Sequence, residues 1–479
     1  MEIENNYKHI FKYTGLFGSV QGLNILIGLV RNKILAWLLG PAGLGLISIY
    51  NTASSLLQNS TNFGLQMSGV REISRAYDLN DEEEINRHIR ILRSWSLLAA
   101  LLGFLVCIAS SNFLSLWAFS SNEYTLKFIF LAPVVAMAAI SGGETAILKA
   151  TRKLKQIAKI SIYGVIGALI ISVPLYYYLG NNGIIPSLVI IGIVQMVLAT
   201  IYSYKYYPLN IKLKKTELAE GKNLISIGSA FVIAGIFGSS AEFIIRAFLS
   251  DMSVSLVGLY NAGYMITMTY AGMVFAAMET DYYPQLSAVS NDTERMNGTT
   301  NRQIEVSLII VAPMLAALML FLPILIPLLF SGKFVPIIGM TQIAIIAMYF
   351  RAINLPVAYI MLAKGDSKSY MLLELVYDIL IVLTIIFCYN NWGLEGTGGA
   401  LALSGLIDCI CVVGYCCWKY DFSFSNRLLN DFLLQLSIGI STLLIVKLTF
   451  GWIYWLAGTM LVLASIFISY RMFKRKMHD

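Results

Sequence analysis

Long apolar segments follow one another along almost the whole chain. Each contains about 18 or more residues with few charged side chains, which is enough for a helix to cross a lipid bilayer. Their approximate bounds are 13–39, 44–67, 94–118, 125–147, 157–179, 184–204, 223–248, 255–278, 304–330, 337–362, 371–390, 396–418, 431–449 and 451–471. The pattern predicts an all-α polytopic membrane protein with about fourteen transmembrane helices.

The composition agrees with a chain that folds in lipid. Of the 479 residues, 57% are hydrophobic and 13% are charged, whereas a soluble domain has roughly 25% charged residues. The six cysteines all fall within apolar segments, so their spacing favours packing over a disulfide framework or a metal site. They are Cys107, Cys388, Cys409, Cys411, Cys416 and Cys417.

Positive charge is concentrated in every second connection between the apolar segments. Most of the 34 Lys and Arg residues lie in the segments 8–12, 71–93, 149–159, 205–222, 295–302, 364–368, 419–427 and 471–476. Because cytoplasmic loops are rich in Lys and Arg, this alternation predicts that both termini of the inner-membrane protein lie in the cytoplasm. The net charge of +7 therefore reports topology, and nucleic acid is not an expected partner.

A weak internal repeat relates the first pair of segments to the seventh and eighth. Gly45-Leu46 precedes Tyr50-Asn51 in one copy, and Gly258-Leu259 precedes Tyr260-Asn261 in the other. The repeat predicts two parallel halves, although chance similarity between apolar segments is the alternative. The predicted division is 1–205 for an N-terminal lobe, 206–222 for a cytoplasmic linker, 223–418 for a C-terminal lobe, and 419–479 for two further helices with a basic tail.

Seven motifs occur in a characteristic order. They are LLGPAGLGLISIYN at 38–51, NFGLQMSGVREISR at 62–75, ILKATRKLKQIAKISI at 147–162, VGLYNAGYM at 257–265, DYYPQLS at 281–287, FSGKFVP at 330–336 and LAKGDSKSYMLLELV at 362–376. Together they resemble the polysaccharide-transporter branch of the multidrug/oligosaccharidyl-lipid/polysaccharide exporter superfamily, and most closely the bacterial O-antigen flippases. The resemblance implies two six-helix lobes around a central cavity that opens alternately to each side, plus two C-terminal helices.

Several cationic residues fall inside apolar segments, where a charge is costly unless it has a partner, a cavity or a function. A guanidinium can bind the anionic oxygens of a lipid pyrophosphate bidentately. We therefore predict substrate-binding roles for Arg31, Lys33, Arg246 and Arg351. Glu242 lies one helical turn before Arg246, so a structural ion pair is the alternative for that arginine.

The second apolar segment is rich in amide and hydroxyl side chains, which suit the hydroxyl groups of a sugar. Asn51, Gln58 and Asn62 are the predicted substrate-binding residues of this segment, and helix packing through its small polar residues is the alternative.

Intramembrane carboxylates are candidates for coupling transport to a proton or sodium gradient. They are Glu144, Glu374, Asp378 and Asp408. Glu374 and Asp378 share one helix face, but their position near the cytoplasmic end makes simple solvation an equal alternative. No resident cofactor or metal is expected.

The sequence contains no phosphate-binding glycine-rich loop, no paired metal-ligand motif and no large extramembrane domain, so an enzyme is not expected. Through the resemblance, we expect a flippase that moves an undecaprenyl-pyrophosphate-linked oligosaccharide, an O-antigen or capsule repeat unit, from the inner to the periplasmic leaflet. Alternatives are a multidrug or cation exporter of the same superfamily, a lipid II flippase and, less in keeping with the short loops, an O-antigen polymerase or ligase. The expected partners are the lipid-linked substrate, membrane lipids and the polysaccharide polymerase machinery.

Overall fold

A computed structural model describes the backbone of residues 2–209 and 215–476, and the side chains of residues 22–209, 232–275 and 282–475. Over these ranges the chain is helical and contains no strand. The helices are α1 Glu2–Thr61, α2 Leu65–Asp78, α3 Glu82–Phe119, α4 Thr125–Ile129, α5 Ala132–Ala150, α6 Leu154–Leu179, α7 Ile184–Tyr204, α8 Lys215–Met252, α9 Val254–Tyr264, α10 Gly272–Ala288, α11 Thr293–Leu329, α12 Ile337–Ala344, α13 Ile346–Ala363, α14 Ser367–Tyr420, α15 Asn426–Leu448 and α16 Gly451–Lys476. The predicted all-α polytopic class is confirmed.

Ten of the described helical stretches are long and apolar enough to cross a membrane. Some are too long for one crossing, because about 20 residues suffice. The longest, Ser367–Tyr420, is interrupted at Gly393, which adopts a positive φ of 59°. Gly40 interrupts α1 in the same way, with a φ of 64°. Glycine tolerates this left-handed backbone at low cost, so it allows one apolar stretch to supply two spans.

The chain reverses direction within two of these stretches. A Cβ atom on Gly183 would lie 2.5 Å from the carbonyl oxygen of Leu175, although eight residues of straight helix would separate them by about 12 Å. On either side of Gly393, the hydroxyls of Thr384 and Ser404 are only 2.6 Å apart. Both stretches are therefore tight helical hairpins, in agreement with the separate spans predicted at 157–179 and 184–204 and at 371–390 and 396–418.

The chain forms two compact units, Met1–Gly258 and Leu259–Asp479. Within the first unit, α8 packs on α1, α2 and α3. The predicted linker at 206–222 stays a prediction. Residues 210–214 of that linker lie outside the described residues. The assignment of transport lobes stays a prediction.

The two glycines of the internal repeat pack closely against each other's segment within the first unit. A Cβ atom on Gly45 would collide with the carbonyl oxygen of Val254, and one on Gly258 would collide with that of Pro41. Small residues allow membrane helices to approach this closely. The repeated Gly-Leu motif therefore marks a reciprocal backbone contact.

Candidate functional site

The second unit contains a polar cavity lined by α13 and by both halves of the α14 hairpin. Its volume is about 650 Å³, which includes the space at its open mouth. The polar lining residues recur at helical spacing, so each helix presents one polar face. Arg351 and Asn354 come from α13, Tyr370, Glu374 and Tyr377 from the first half of α14, and Asp408 from the second half.

Three of the predicted site residues therefore meet in one place. Arg351 and Glu374 are exposed, and Asp408 is half-buried. The Asn354 amide donates a hydrogen bond to Oδ2 of Asp408, and Arg351 interacts electrostatically with the same carboxylate. The cavity thus combines one guanidinium with two carboxylates, and it could bind an anion, a cation or both in turn. Asp378 does not line it.

Close packing positions the second half of α14 in the cavity wall. Gly398 lies against the backbone of Met340 on α12, where any Cβ atom would collide with the carbonyl oxygen. Gly405 faces Ala347 of α13, since a Cβ atom there would lie 3.3 Å from the Ala347 Cβ. These two contacts bring the second half of α14, which carries Asp408, close to α12 and α13.

Arg246 is hydrogen-bonded to residues of the first unit. Its side chain is buried, with Nε donating to Ser48 Oγ of α1 at 2.7 Å and Nη1 donating to the Glu242 carbonyl oxygen at 3.0 Å. Nη1 also lies 3.4 Å from the Glu242 carboxylate. The ion pair that the sequence offered as the alternative is formed, and Arg246 also connects α8 to α1.

Arg31 and Lys33 are half-buried on α1. The Nε atom of Arg31 is buried and has no hydrogen-bond partner among the described residues. A buried guanidinium N–H of this kind is expected to bind water or a ligand. Arg31 therefore has a guanidinium N–H that can donate to a ligand, whereas Arg246 donates hydrogen bonds to Ser48 and Glu242.

The polar residues predicted on the second apolar segment differ in their surroundings. Asn51 is exposed and Gln58 is half-buried. Asn62 accepts a hydrogen bond from the Gly64 N–H at 2.8 Å, which stabilises the turn between α1 and α2. Asn59, which was not among the predicted site residues, donates to the Gly235 carbonyl oxygen of α8 at 3.1 Å. Part of this polar density is therefore used for local structure and helix packing.

Glu144, one of the predicted coupling residues, forms a buried bidentate ion pair with Arg93. Nε of Arg93 lies 2.9 Å from Oε1 and Nη2 lies 3.0 Å from Oε2. The guanidinium also donates to the carbonyl oxygens of Tyr207 and Pro208 at 2.9 and 3.0 Å. Arg93 is the last residue of the basic segment 71–93, which is predicted to be cytoplasmic, and no local pattern indicates that it is buried against a residue 51 positions away.

Comparison with known proteins identifies the family. The sequence model of the polysaccharide biosynthesis protein family matches residues 34–339, which is more than half of the chain. The chain belongs to this family. No curated protein matches the sequence.

Solved structures show which fold this family member adopts. It is similar to the lipid II flippase MurJ in an inward closed conformation, with 15% identity and a TM-score of 0.73, over 97% of this chain and 100% of that one. It is also similar to an inward-facing multidrug resistance MATE family transporter of the MOP superfamily, with 13% identity and a TM-score of 0.72, over 83% of this chain and 94% of that one. A third similar structure, the MATE multidrug transporter DinF-BH, has 15% identity and a TM-score of 0.60, over 85% of this chain and 95% of that one.

Together, the family match and the shared fold support a multi-pass membrane protein of the flippase type, and they favour a transporter over an enzyme. They do not specify the substrate.

Proposed function

We propose that this family member moves an undecaprenyl-pyrophosphate-linked oligosaccharide, such as an O-antigen or capsule repeat unit, between membrane leaflets by alternating access. The match to the polysaccharide biosynthesis family carries the proposal. The fold shared with a lipid II flippase adds support, because that protein also flips a lipid.

The cavity of the second unit supplies a group that can bind the anionic head. Arg351 is exposed in the cavity, and among the described residues no hydrogen bond or ion pair holds it in one position. In a membrane, where water competes less, a guanidinium and a phosphate form strong paired hydrogen bonds. Arg31, with its buried unpaired Nε, is proposed as a second contact, and Lys33, Asn51 and Gln58 remain proposed contacts in the first unit.

The carboxylates beside Arg351 offer a way to couple binding to an ion gradient. Asp408 and Glu374 compete with the substrate for the guanidinium while they are negatively charged. A proton or a sodium ion bound between them neutralises one of the two negative charges, which weakens their attraction for Arg351 and favours its contact with the pyrophosphate. The Asn354 amide, already directed at Asp408, holds that carboxylate in place.

Replacement of Arg351 tests the proposal. In a strain that lacks its own flippase for the lipid-linked oligosaccharide, Arg351→Ala is expected to lower transport about tenfold or more, the equivalent of about 1.4 kcal/mol or more of lost binding. Arg351→Lys retains the charge without the bidentate geometry, and it should keep part of the activity. Surface polysaccharide measured by quantitative blotting gives the readout.

The matched control is Arg295→Ala, which removes an exposed arginine of the same unit outside the cavity. Membrane abundance of each variant is measured alongside transport. Full transport by an Arg351→Ala protein present at normal abundance would contradict the role of Arg351.

A cation exporter is the second candidate, because the cavity holds two carboxylates against one guanidinium. The fold shared with the multidrug transporter DinF-BH agrees with this alternative. Efflux of a cationic dye that is abolished by Asp408→Asn, together with normal polysaccharide export, would favour the exporter over the flippase.

We also propose that the protein resides in the bacterial inner membrane with both termini in the cytoplasm, as the alternating basic segments indicate. A reporter that functions only in the cytoplasm should be active when it is fused to either terminus, and a reporter that functions only in the periplasm should be inactive there. Activity of a periplasmic reporter at the C-terminus would contradict the fourteen-span topology.

A further inference from the structure

A second polar cavity lies in the same unit, where the first turns of α11 and α15 meet the end of α16. It encloses about 1090 Å³, including its open side. Three arginines, one from each helix, line it: Arg302, Arg427 and Arg475. Among the described residues, Glu305 is the one acidic side chain in the lining. Neither the family match nor the transport proposal assigns a role to this cavity.

Hydrogen bonds hold the loop next to this basic cavity in place. Asn297 and Asn301, one turn apart on α11, hold the loop that leads into α15: Asn297 donates to the Asp421 carbonyl oxygen and Asn301 to that of Ser423, each at 2.9 Å. The Asn301 side-chain oxygen also accepts from the Ser425 N–H at 3.2 Å. Ser425 then caps α15 by accepting from the Leu428 N–H at 3.2 Å. The positive end of the α15 dipole is thereby directed at the cavity.

The positive charges of the basic cavity outnumber the negative ones. Arg475 pairs with Asp431 of α15, and Glu305 opposes one further positive charge. Arg302 and Arg427 are exposed, and both line the cavity. With the helix dipole added, the balance favours an anion that accepts several hydrogen bonds, and a phosphate group has this chemistry.

The surroundings distinguish a lipid phosphate from a dissolved one. All three helices of the cavity are of membrane-crossing length. Leu429 and Leu433, on the turns of α15 that follow the cavity, are exposed, as are Tyr470 and Phe473 of α16. A basic pocket at the ends of membrane-crossing helices places a headgroup site next to the bilayer, whose lipid such exposed apolar side chains are expected to face.

We propose that this basic cavity binds the phosphodiester headgroup of an anionic membrane phospholipid of the phosphatidylglycerol class. The acyl chains of the lipid remain in the bilayer around α15 and α16. The proposal gives the two C-terminal helices, α15 and α16, a function: together with α11 they form a lipid site separate from the transport cavity.

Native mass spectrometry of the detergent-solubilised protein, titrated with dioctanoyl-phosphatidylglycerol, tests the proposal. Arg302→Gln and Arg427→Gln should each weaken binding about fivefold, as expected for one basic residue acting on an anionic lipid. Arg295→Gln, on the same helix but outside the cavity, should bind like the wild type. Dioctanoyl-phosphatidylcholine, which carries no net charge, should bind weakly to every protein.

A steric variant tests the location independently of charge. Gly298 lines the cavity, and a Cβ atom there would meet nothing within 4 Å. Gly298→Phe should therefore fold normally and block phosphatidylglycerol while all three arginines remain. Gly414→Phe, which also enters open space but lies elsewhere on α14, is the control.

Two results would overturn the proposal. Wild-type affinity for phosphatidylglycerol in the double variant Arg302→Gln with Arg427→Gln, or in Gly298→Phe, would show that the lipid binds elsewhere. Equal competition by free glycerol phosphate at the same concentration would show that the cavity takes a dissolved phosphate and that the acyl chains contribute nothing. Loss of binding in both variants, without competition by glycerol phosphate, is the expected result.

Discussion

Each unit has an arginine close to carboxylates within its helices, but the two arrangements differ in how many of these charged groups are paired with one another. In the first unit, the side chains of Arg93 and Glu144 are 3% and 4% exposed, and both oxygens of the carboxylate are paired. In the second unit, Arg351 and Glu374 are exposed to a cavity, and Asp408 is held by an uncharged amide.

The difference separates structural from functional charge in this molecule. A buried pair whose hydrogen bonds are all made within the protein has little left to offer a ligand, and breaking it is costly. An arginine that faces an open cavity beside two carboxylates can exchange partners when an ion or an anionic group arrives. Both sites combine an arginine with carboxylate groups, and they differ in how many of their charges and hydrogen-bonding groups are paired within the protein.

Replacing one carboxylate in each unit should give the largest difference in stability between the two sites. Glu144→Gln leaves the positive charge of Arg93 buried without its counter-ion, so we expect a loss of about 3 kcal/mol or more in the free energy of unfolding. Glu374→Gln should change it by less than about 1 kcal/mol, because Glu374 is exposed. Thermal unfolding of the purified proteins in detergent provides the comparison.

Equal destabilisation by the two glutamine variants would break the distinction between a closed pair and an open cavity. Transport should give the opposite ranking: among protein that reaches the membrane, Glu374→Gln should be the more impaired per molecule, since Glu144 lies outside the cavity that Arg351 lines.

Packing behind the open cavity should give a smaller effect. Gly398→Ala forces a Cβ atom into the Met340 carbonyl oxygen, and the required shift of α14 should cost about 1–3 kcal/mol. Gly399→Ala is the matched control, because a Cβ atom there meets nothing within 4 Å and alanine favours a helix over glycine by about 1 kcal/mol.

Both alanine variants are followed by thermal unfolding and by the polysaccharide export assay. Gly398→Ala should lower both, since the shift displaces Asp408 relative to Arg351, whereas Gly399→Ala should preserve both. If the two variants behaved alike, close packing on α12 would not be what positions the cavity wall.

A partly exposed ion pair between Asp366, just before α14, and Lys419, in its last turn, should give the smallest effect. Hydrogen bonds from Lys419, Ser369 and Tyr420 hold the pKa of the Asp366 carboxyl well below its usual range. Because the folded pKa lies below the unfolded one, the stabilisation is present above the unfolded pKa of about 4 and is lost as the pH falls further.

Asp366→Asn should therefore lower the unfolding temperature at pH 7 by about 1 °C or less, because surface ion pairs contribute little. The difference between variant and wild type should shrink as the pH is lowered from about 5 towards about 3. A difference that grew on acidification would show that Asp366 acts in the opposite direction.

Some site residues could be predicted because their signal is local. Arg351 stands out as a charge in the middle of an apolar segment, and Asp408 and Glu374 stand out in the same way. The cost of an isolated charge in lipid is large enough for each of these positions to indicate a partner or a cavity. That these three share one cavity is not visible locally, since Asp408 lies on the far side of the turn at Gly393 from Glu374.

Other assignments depended on contacts that sequence spacing does not encode. Glu144 looked like a coupling residue because its partner, Arg93, lies 51 positions earlier and resembles the neighbouring cytoplasmic arginines. The basic cavity at the start of α15 joins segments near positions 300, 427 and 475, and each of them alone is typical of an ordinary basic loop.

The sequence by itself determined the class of protein, the succession of membrane-crossing helices and the family resemblance, because apolar length and charge placement are properties of each segment alone. The tertiary structure decided which charges are satisfied and which face a cavity, because a long-range ion pair depends on how helices pack. In the sequence, Arg93 looks like an ordinary cytoplasmic arginine and Arg351 like an isolated charge in an apolar segment, and only the packing shows that the first forms a closed pair and the second lines an open site.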